Sequence, residues 1–572
     1  MHATEHFIPG KDASLEASIA TLQSRLEATG FHIEERSWLN PVEGVWSVHI
    51  RDRDCPLLFT NGKGASELAA RASALGEYFE RLSSNYFWTH FYLGDAIANR
   101  SYVHNPAERW FAFDDGDDAW PSGLLTPALH GLYNPEASVR ADQLIDLNSG
   151  NIERGICAIP YQRLSDGETV YFPVNLIGNL YVSNGMSAGN TPMEARTQAL
   201  SEIFERHTKF RIIEEGLCLP DVPEDVIDRY PRIAAGIRAL RCAGFGILVK
   251  DASLGGRYPV MNVTLLHPED QGCFASFGAH PRFEVALERA LTELLQGRAL
   301  DSLAGFPAPG FDQAEIADPQ NLEIHFVDSS GVISWQFLRD TPDFDFVDWN
   351  FGTSTEEDYA WSCGALHADG HEIYIADFEH LGVYACRILV PGVSEIYPFE
   401  ELEFENNSVG NLIRPALARL PELSDDECAD LLDLIGELEL ADDRLVPVLI
   451  GLAPDADSPW TDLRVGELKL LLALALGDDD AILEGCTWIA QYGQRSEARL
   501  KVYRCIADLV RLGDPNPFEP ALVLLYGRET LERAFALFNQ DERFFGLSKL
   551  GSDFEGSAMH RHLLEAYRKV RG

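Results

Sequence analysis

Positive charge is scarce in this sequence. Its 572 residues carry 46 lysines and arginines against 90 aspartates and glutamates, a formal net charge of -44. Direct nucleic-acid binding is excluded on that ground, because it requires a basic footprint able to release condensed counterions. The acidic field suits a basic protein partner, or simply a solvated surface that aids solubility. Paired cysteines are lacking too. The ten cysteines lie scattered with no C-x-x-C spacing, so zinc ribbons, thioredoxin-like sites and clustered iron–sulfur ligands lose their support. Buried, reduced thiols in a cytosolic protein are expected instead. The longest strongly apolar run, Leu468 to Leu476, is roughly half the ~20 residues needed to cross a bilayer. The start, Met-His-Ala-Thr-Glu-His-Phe, has neither the basic nor the apolar region of a signal peptide, and the cytoplasm, away from membranes, is the expected location. Nucleotide fingerprints are missing as well. Gly10-Lys11 and Gly62-Lys63 lack the rest of a P-loop, Gly62-Lys63-Gly64 meets Glu67 where G-x-G-x-x-G needs its last glycine, and no G-x-S-x-G elbow occurs.

Up to about residue 400, strand-like runs alternate with amphipathic helical patterns. Strands are expected at 31–35, 45–50, 57–60, 258–264 and 383–390, and helices at about 65–84, 192–214 and 283–299. This part reads as a large α+β, or mixed α/β, domain. Beyond about residue 410, leucine and alanine recur at helical spacing, as in Leu431–Ile435, Leu463–Leu476 and Leu500–Leu512, with Gly477–Asp480 and Gly513–Asn516 as loops between helices. Helix pairs of this size suggest a tetratricopeptide-like array without its clean signature.

An internal echo carries the chemistry. Residues 73–81 read S-A-L-G-E-Y-F-E-R and residues 198–206 read Q-A-L-S-E-I-F-E-R, agreeing at six of nine positions 125 residues apart. Spacing of i, i+4 and i+7 puts Ser73, Glu77 and Glu80 on one helical stripe, and likewise Gln198, Glu202 and Glu205. A third pattern aligns Arg289, Glu293 and Gln296. Two readings compete on spacing alone: solvated helix faces with surface salt bridges, or three helices converging on one site. Convergence would gather five carboxylates, and like charges ~4 Å apart repel by roughly 4 kcal/mol at an effective dielectric of ~20. Such a cluster needs cations or protonation; magnesium is the natural counterion, being hard and oxygen-seeking, and the arginines suit phosphate oxygens. Ser183–Asn190, small and glycine-bearing, leads into Thr191-Pro192, a helix cap followed by proline at the first helical position, where free N–H groups offer an anion site. Glu194 fits either a capping box with Thr191 or a ligand contact.

Together these segments resemble the ATP-binding signatures of the YcaO superfamily: S-x-x-x-E-x-x-E-R at Ser73–Arg81, Q-x-x-x-E-x-x-E-R at Gln198–Arg206, and A-L-x-R-A-x-x-E-x-x-Q at Ala286–Gln296. Likeness extends to Phe7–Asp12, Tyr181–Asn190 and His380–Arg387. The resemblance implies an ATP-binding catalytic domain over 1–400, a linker over 401–425 and a helical, tetratricopeptide-like domain over 426–572. It implies Mg2+ held by Glu77, Glu80, Glu202, Glu205 and Glu293. ATP would face Lys11, Ser18, Ser73, Ser187, Asn190, Glu194, Gln198, Arg206, Arg289 and Gln296. Family chemistry is ATP-dependent activation of a peptide or protein amide toward azoline, thioamide or amidine, with the nucleophile supplied by substrate or partner. Azoline-forming members commonly end in P-x-P-x-P, whereas residues 567–572 read Y-R-K-V-R-G, which argues against heterocyclisation. A stand-alone enteric branch instead acts as accessory factor in β-methylthiolation of a small-subunit ribosomal protein. The partners so implied are a nucleotide, a basic ribosomal protein, the radical-SAM enzyme RimO and a second copy of the chain, met through the helical domain. The rival expectation is a non-catalytic protein-binding module that holds ATP as a structural ligand.

Overall fold

The computed structural model describes residues 5–113, 119–493 and 495–571. Twelve strands run in chain order as β1 (Ile33–Val42), β2 (Val45–Asp52), β3 (Phe59–Gly64), β4 (Arg109–Phe111), β5 (Ile156–Arg163), β6 (Thr169–Pro173), β7 (Met186–Gly189), β8 (Gly246–Asp251), β9 (Val260–Leu266), β10 (Cys273–Ala279), β11 (Tyr374–Phe378) and β12 (Tyr384–Leu389). They fall into three antiparallel sheets. One has the order β1-β2-β3 and another β10-β9-β8. The largest runs β4-β5-β11-β12-β7, with β6 also paired to β5. The α+β expectation is met, with sheets in the first part and, among the described residues, helices and no named strand after about residue 400.

Each helix that carries the acidic stripes lies on a strand with a glycine beneath it. A Cβ on Gly62 of β3 would stand 2.0 Å from the Ala70 carbonyl oxygen of the Glu67–Ser83 helix. On Gly189 of β7 it would stand 2.9 Å from the Ala195 nitrogen of the Pro192–Glu215 helix, and on Gly278 of β10 it would be 2.3 Å from the Ala290 nitrogen of the Phe283–Leu294 helix. Backbone meets backbone at all three places, while apolar side chains such as Tyr78, Phe79, Phe204 and Leu287 fill the core around them. The opposite, polar stripes are thereby held at fixed height above the sheets.

The expected helix over 283–299 ends at Leu294. Gly297 turns left-handed at φ +70, its N–H donates to Ser47 Oγ, and Gln296 donates to the Asn61 carbonyl. The stretch 401–425, expected as a linker, is built of short helices at Glu401–Phe404 and Gly410–Leu417 and of 3-10 turns, and it buries Leu402, Ile413, Leu417 and Leu420. Helices Asp425–Glu437, Val465–Leu476, Asp479–Tyr492 and Glu497–Leu512 share one leucine-rich core. Within it Glu467 is 1% exposed and accepts from Arg495, Arg499 and Tyr503. The expected loop at 477–480 narrows to a left-handed Gly477 and an Asp478 that caps the next helix. Nine cysteines are buried; Cys242 is exposed, against expectation.

The helix Ala558–Arg571 leaves the helical part and completes the core around the Glu67–Ser83 helix. Leu563, Leu564 and Tyr567 pack there, Tyr567 stands edge-on to Trp88 at 5.5 Å, and Trp88 donates to the Leu563 carbonyl. His560 is fully buried: one ring nitrogen accepts from the Ala453 N–H at 3.1 Å and the other lies 2.9 Å from the Tyr92 carbonyl, which fixes a neutral tautomer. Burial holds its pKa at about 4. Among the described residues no helix is long and apolar enough to cross a membrane.

Candidate functional site

The Glu67–Ser83 helix starts at Ser66, whose side chain accepts from the Ala69 N–H, and buries Ala70, Ala74, Leu75, Tyr78, Phe79 and Leu82. Ser73, Glu77 and Glu80 therefore lie on its other side. The Ser73 hydroxyl accepts the Lys63 N–H of β3 at 3.4 Å. The Pro192–Glu215 helix is capped by Thr191, and its turns set Glu194, Gln198, Glu202 and Glu205 along one face. Arg289, from the third helix, donates to Gln198 Oε1 at 2.5 Å and stands 3.8 Å from Glu205.

Carboxylate and cation alternate across this space. Arg81 pairs with Glu77, Arg206 with Glu202 at 2.5 Å, and Lys63 with Glu293. Glu80 is the one acid of the five without an ion pair among the described residues. Burial first, then the charges of Glu202 and Glu77, push its pKa well above the carboxylate range. Burial also raises Glu202, with Glu205 and Glu77 adding to it against the pull of Arg206 and Arg289. Lys63 is pushed down to about 8 by burial and by the neighbouring Arg289. The acids thus sit close enough to disfavour one another's charge.

A second group gathers at the start of the Pro192–Glu215 helix. Lys11 reaches Glu194 at 3.2 Å, the Asp12 N–H donates to Glu194 at 2.9 Å, and the Asn190 amide donates to it at 2.9 Å. Ser18 donates to Asn190 Oδ1 at 2.9 Å. Thr191 caps the helix by accepting the Glu194 N–H, but the Glu194 carboxylate is engaged by the N-terminal segment and closes no capping box. His280 stands against Gly10, next to Lys11. Its pKa lies well below the ordinary value through burial and the charges of Arg289, Arg282 and Lys11.

Not all candidates meet. Gln296 turns to the β3 backbone. Ser187 is buried in β7 opposite Cys386 of β12, its hydroxyl only 3.4 Å from the Ala188 carbonyl. Part of the small, glycine-bearing entry to this helix is therefore strand, because Gly185 and Gly189 let it press against Ile388 and Ala195. Lys63 was missed, since it lacks a P-loop; the flanking glycines of β3, a mark of close helix approach, were the available signal.

Among the described residues no three carboxylates, imidazoles or thiols already converge on one ion-sized point, and Lys63 and the arginines stand between them. The donor set nonetheless fits magnesium: five carboxylates offer hard oxygen atoms, burial and neighbouring acids disfavour the charged forms of Glu80 and Glu202, which a cation would relieve, and arginine suits phosphate oxygens. Residues 61–394, more than half of the chain, match the family model described as YcaO cyclodehydratase, ATP- and Mg2+-binding. The chain belongs to the YcaO family. ATP and Mg2+ are thus the cofactors of its matched domain. Residues 410–572 match the YcaO cyclodehydratase C-terminal domain. Curated relatives cover this family member end to end. The ribosomal protein S12 methylthiotransferase accessory factor YcaO of Escherichia coli K12 is 51% identical over 99% of this chain and 98% of its own. An uncharacterised protein of Haemophilus influenzae Rd is 48% identical over the same shares. Among solved structures, YcaO from Methanopyrus kandleri bound with AMPPCP and Mg2+ gives a TM-score of 0.42 at 18% identity, covering 68% of this chain and 93% of that one. A heterocyclase in complex with substrate and cofactor gives 0.44 at 17% identity, covering 68% and 55%.

Proposed function

We propose that this YcaO-family protein holds magnesium on Glu77, Glu80, Glu202, Glu205 and Glu293 and ATP between that cluster and the Lys11–Ser18–Asn190–Glu194 group. Lys63 belongs with them. The observation that carries this reading is the unpaired, partly buried Glu80 among acids that already repel it, a charge arrangement that a divalent cation completes. Bound MgATP supplies a phosphoryl or adenylyl group for an amide oxygen, which turns that oxygen into a leaving group. The chain's own side chains position and neutralise: Arg206 and Arg289 face phosphate, and Gln198 orients Arg289. No nucleophilic Ser–His pair is needed, because substrate or partner brings the nucleophile.

The acceptor is proposed as a small-subunit ribosomal protein, with the chain acting as accessory factor for its methylthiotransferase, the radical-SAM enzyme RimO, in the cytoplasm. The 51% identity with the E. coli accessory factor over 99% of the chain supports this, and so does the complementarity of a net charge of -44 to a basic partner. A homodimer through the helical part is proposed on Leu524 and Leu525, 87% and 69% exposed. In the test, purified protein with ATP, magnesium and the candidate ribosomal protein should release ADP or AMP, and Glu77→Ala with Glu202→Ala should abolish release. Unchanged hydrolysis in the double variant would sink the site assignment. Magnesium-dependent ATP binding without substrate-stimulated turnover would favour the structural-ligand reading instead.

A further inference from the structure

Just past the acidic cluster, the Glu67–Ser83 helix runs out at Ser84 and Asn85, and behind them lies a cavity of about 50 Å³. Its wall includes Arg387 of β12, Tyr161 of β5, Asn85, Thr89 and Gly178. The volume is several times what one water requires. Arg387 is only 5% exposed, and its one hydrogen bond of note is donated to the Val182 carbonyl. Its Nε–H has no partner, and no carboxylate among the described residues lies within ion-pair distance of it. Through space it feels the ring hydroxyls of Tyr161, Tyr86 and Tyr181 and, after them, the carboxyl of Glu80. A guanidinium shut away from water without a counterion is costly, and water in the cavity would solvate the N–H without neutralising the charge.

The backbone around the cavity is bent to make it. Ile177–Tyr181, which supplies Gly178, winds as a π-helix, a form concentrated at functional sites. It ends in Val182 at φ 49, ψ -115, a left-handed conformation that β-branched residues avoid. The strained carbonyl at Val182 is the one Arg387 holds, so the strain and the buried cation support each other.

We infer that this cavity is a carboxylate-binding site, with Arg387 as the anchor of a compact planar anion one helical turn beyond Glu80. The guanidinium fork matches a carboxylate in shape as well as charge, and the small volume favours a headgroup over a whole metabolite. Two sources share that chemistry: a free small acid, or an acidic side chain of a bound polypeptide that would thereby be set beside the acidic cluster. The site stands independently of magnesium and ATP.

The full-length protein is titrated at constant ionic strength and pH with sodium acetate, with acetyl-aspartate N-methylamide, with phosphate and with chloride, and the thermal midpoint is followed. A saturable rise is expected with acetate or the capped aspartate and not with chloride; tighter binding of the capped residue assigns the source to a polypeptide, and acetate alone to a free acid. Arg387→Met should weaken this response by about tenfold or more, Arg387→Lys should keep part of it, and Glu80→Gln should leave it in place. Asn85→Asp plants a carboxylate in the same cavity, in a backbone conformation aspartate tolerates (φ 65); made together with Arg571→Met, because Arg571 donates to Asn85 Oδ1 at 3.2 Å, it should raise the midpoint in chloride and remove the acetate response. Superimposed acetate and chloride curves in the wild type, preferential binding of phosphate, or an undiminished response in that double variant would each overturn the assignment.

Discussion

Lowering the pH from 7 to 4.5 should weaken the docking of the helix Ala558–Arg571 through His560. That imidazole is neutral and enclosed in the folded state, with a pKa of about 4, against an ordinary 6.5 once exposed. A histidine lowered on folding contributes stability that is complete above 6.5 and is lost as the pH falls toward 4, since the opened state then binds the extra proton. With those two values, the linkage factor favouring the open helix rises from about 1 at pH 7 to several tens at pH 4.5, on the order of 2 kcal/mol. Native-state hydrogen exchange reads this directly. After correction for intrinsic rates, the protected amides of 558–571 should lose about that factor between the two pH values. His560→Gln separates this group from other titrations: the helix should be less protected at pH 7, through weaker bonds to Ala453 and Tyr92, but its pH dependence should flatten. Parallel pH profiles for wild type and variant would refute the assignment of acid sensitivity to His560.

Three further outcomes follow from the packing and charge already described. Because Glu80 has its pKa raised, its ionised form costs stability at neutral pH and the cost fades on acidification; Glu80→Gln should raise the thermal midpoint in EDTA while shrinking the rise produced by MgATP in a thermal-shift titration. Gly62→Ala forces a Cβ into the Ala70 carbonyl, and should cost at least about 1–3 kcal/mol and weaken ATP binding by calorimetry, as the Glu77 and Glu80 stripe lifts off β3. Glu467→Gln strips the buried countercharge from Arg495 and Arg499, and a loss of about 3–5 kcal/mol should appear as a drop in thermal midpoint with the ATP site intact.

The site-bearing helices were legible because the same residues do two jobs. In 73–81 and 198–206 the apolar positions that seat the helix fix the phase of the acids, so both stripes and their burial could be read from spacing. Lys63 and the true end of the third helix were not, since both depend on β3: one on a close approach of helix to strand, the other on Ser47 and Asn61 drawing off Gly297 and Gln296. The strand in the 183–190 stretch was not legible, because small residues serve equally in turns and in strands squeezed by a helix, and only the pairing of β7 with β12 decides between them. Arg387 ends a stretch that resembles the family, but spacing gave it no role, as its meaning lies in the absence of a counterion, among the described residues, from elements far apart in sequence. His560 is the same kind of case.

The bond from Trp88 to Leu563 joins residues 475 positions apart. During synthesis, the helix carrying Glu77 and Glu80 emerges long before the segment that closes its core, and at ~5–20 residues per second this interval lasts tens of seconds. Over that time Phe79, Leu82 and Trp88 present an unfinished apolar face to the cell. Assembly of the nucleotide site is therefore a late event in the life of each molecule, and a ribosome that stalls or a message cut short within the helical part yields an N-terminal portion with its signature residues in place and no finished core to hold them.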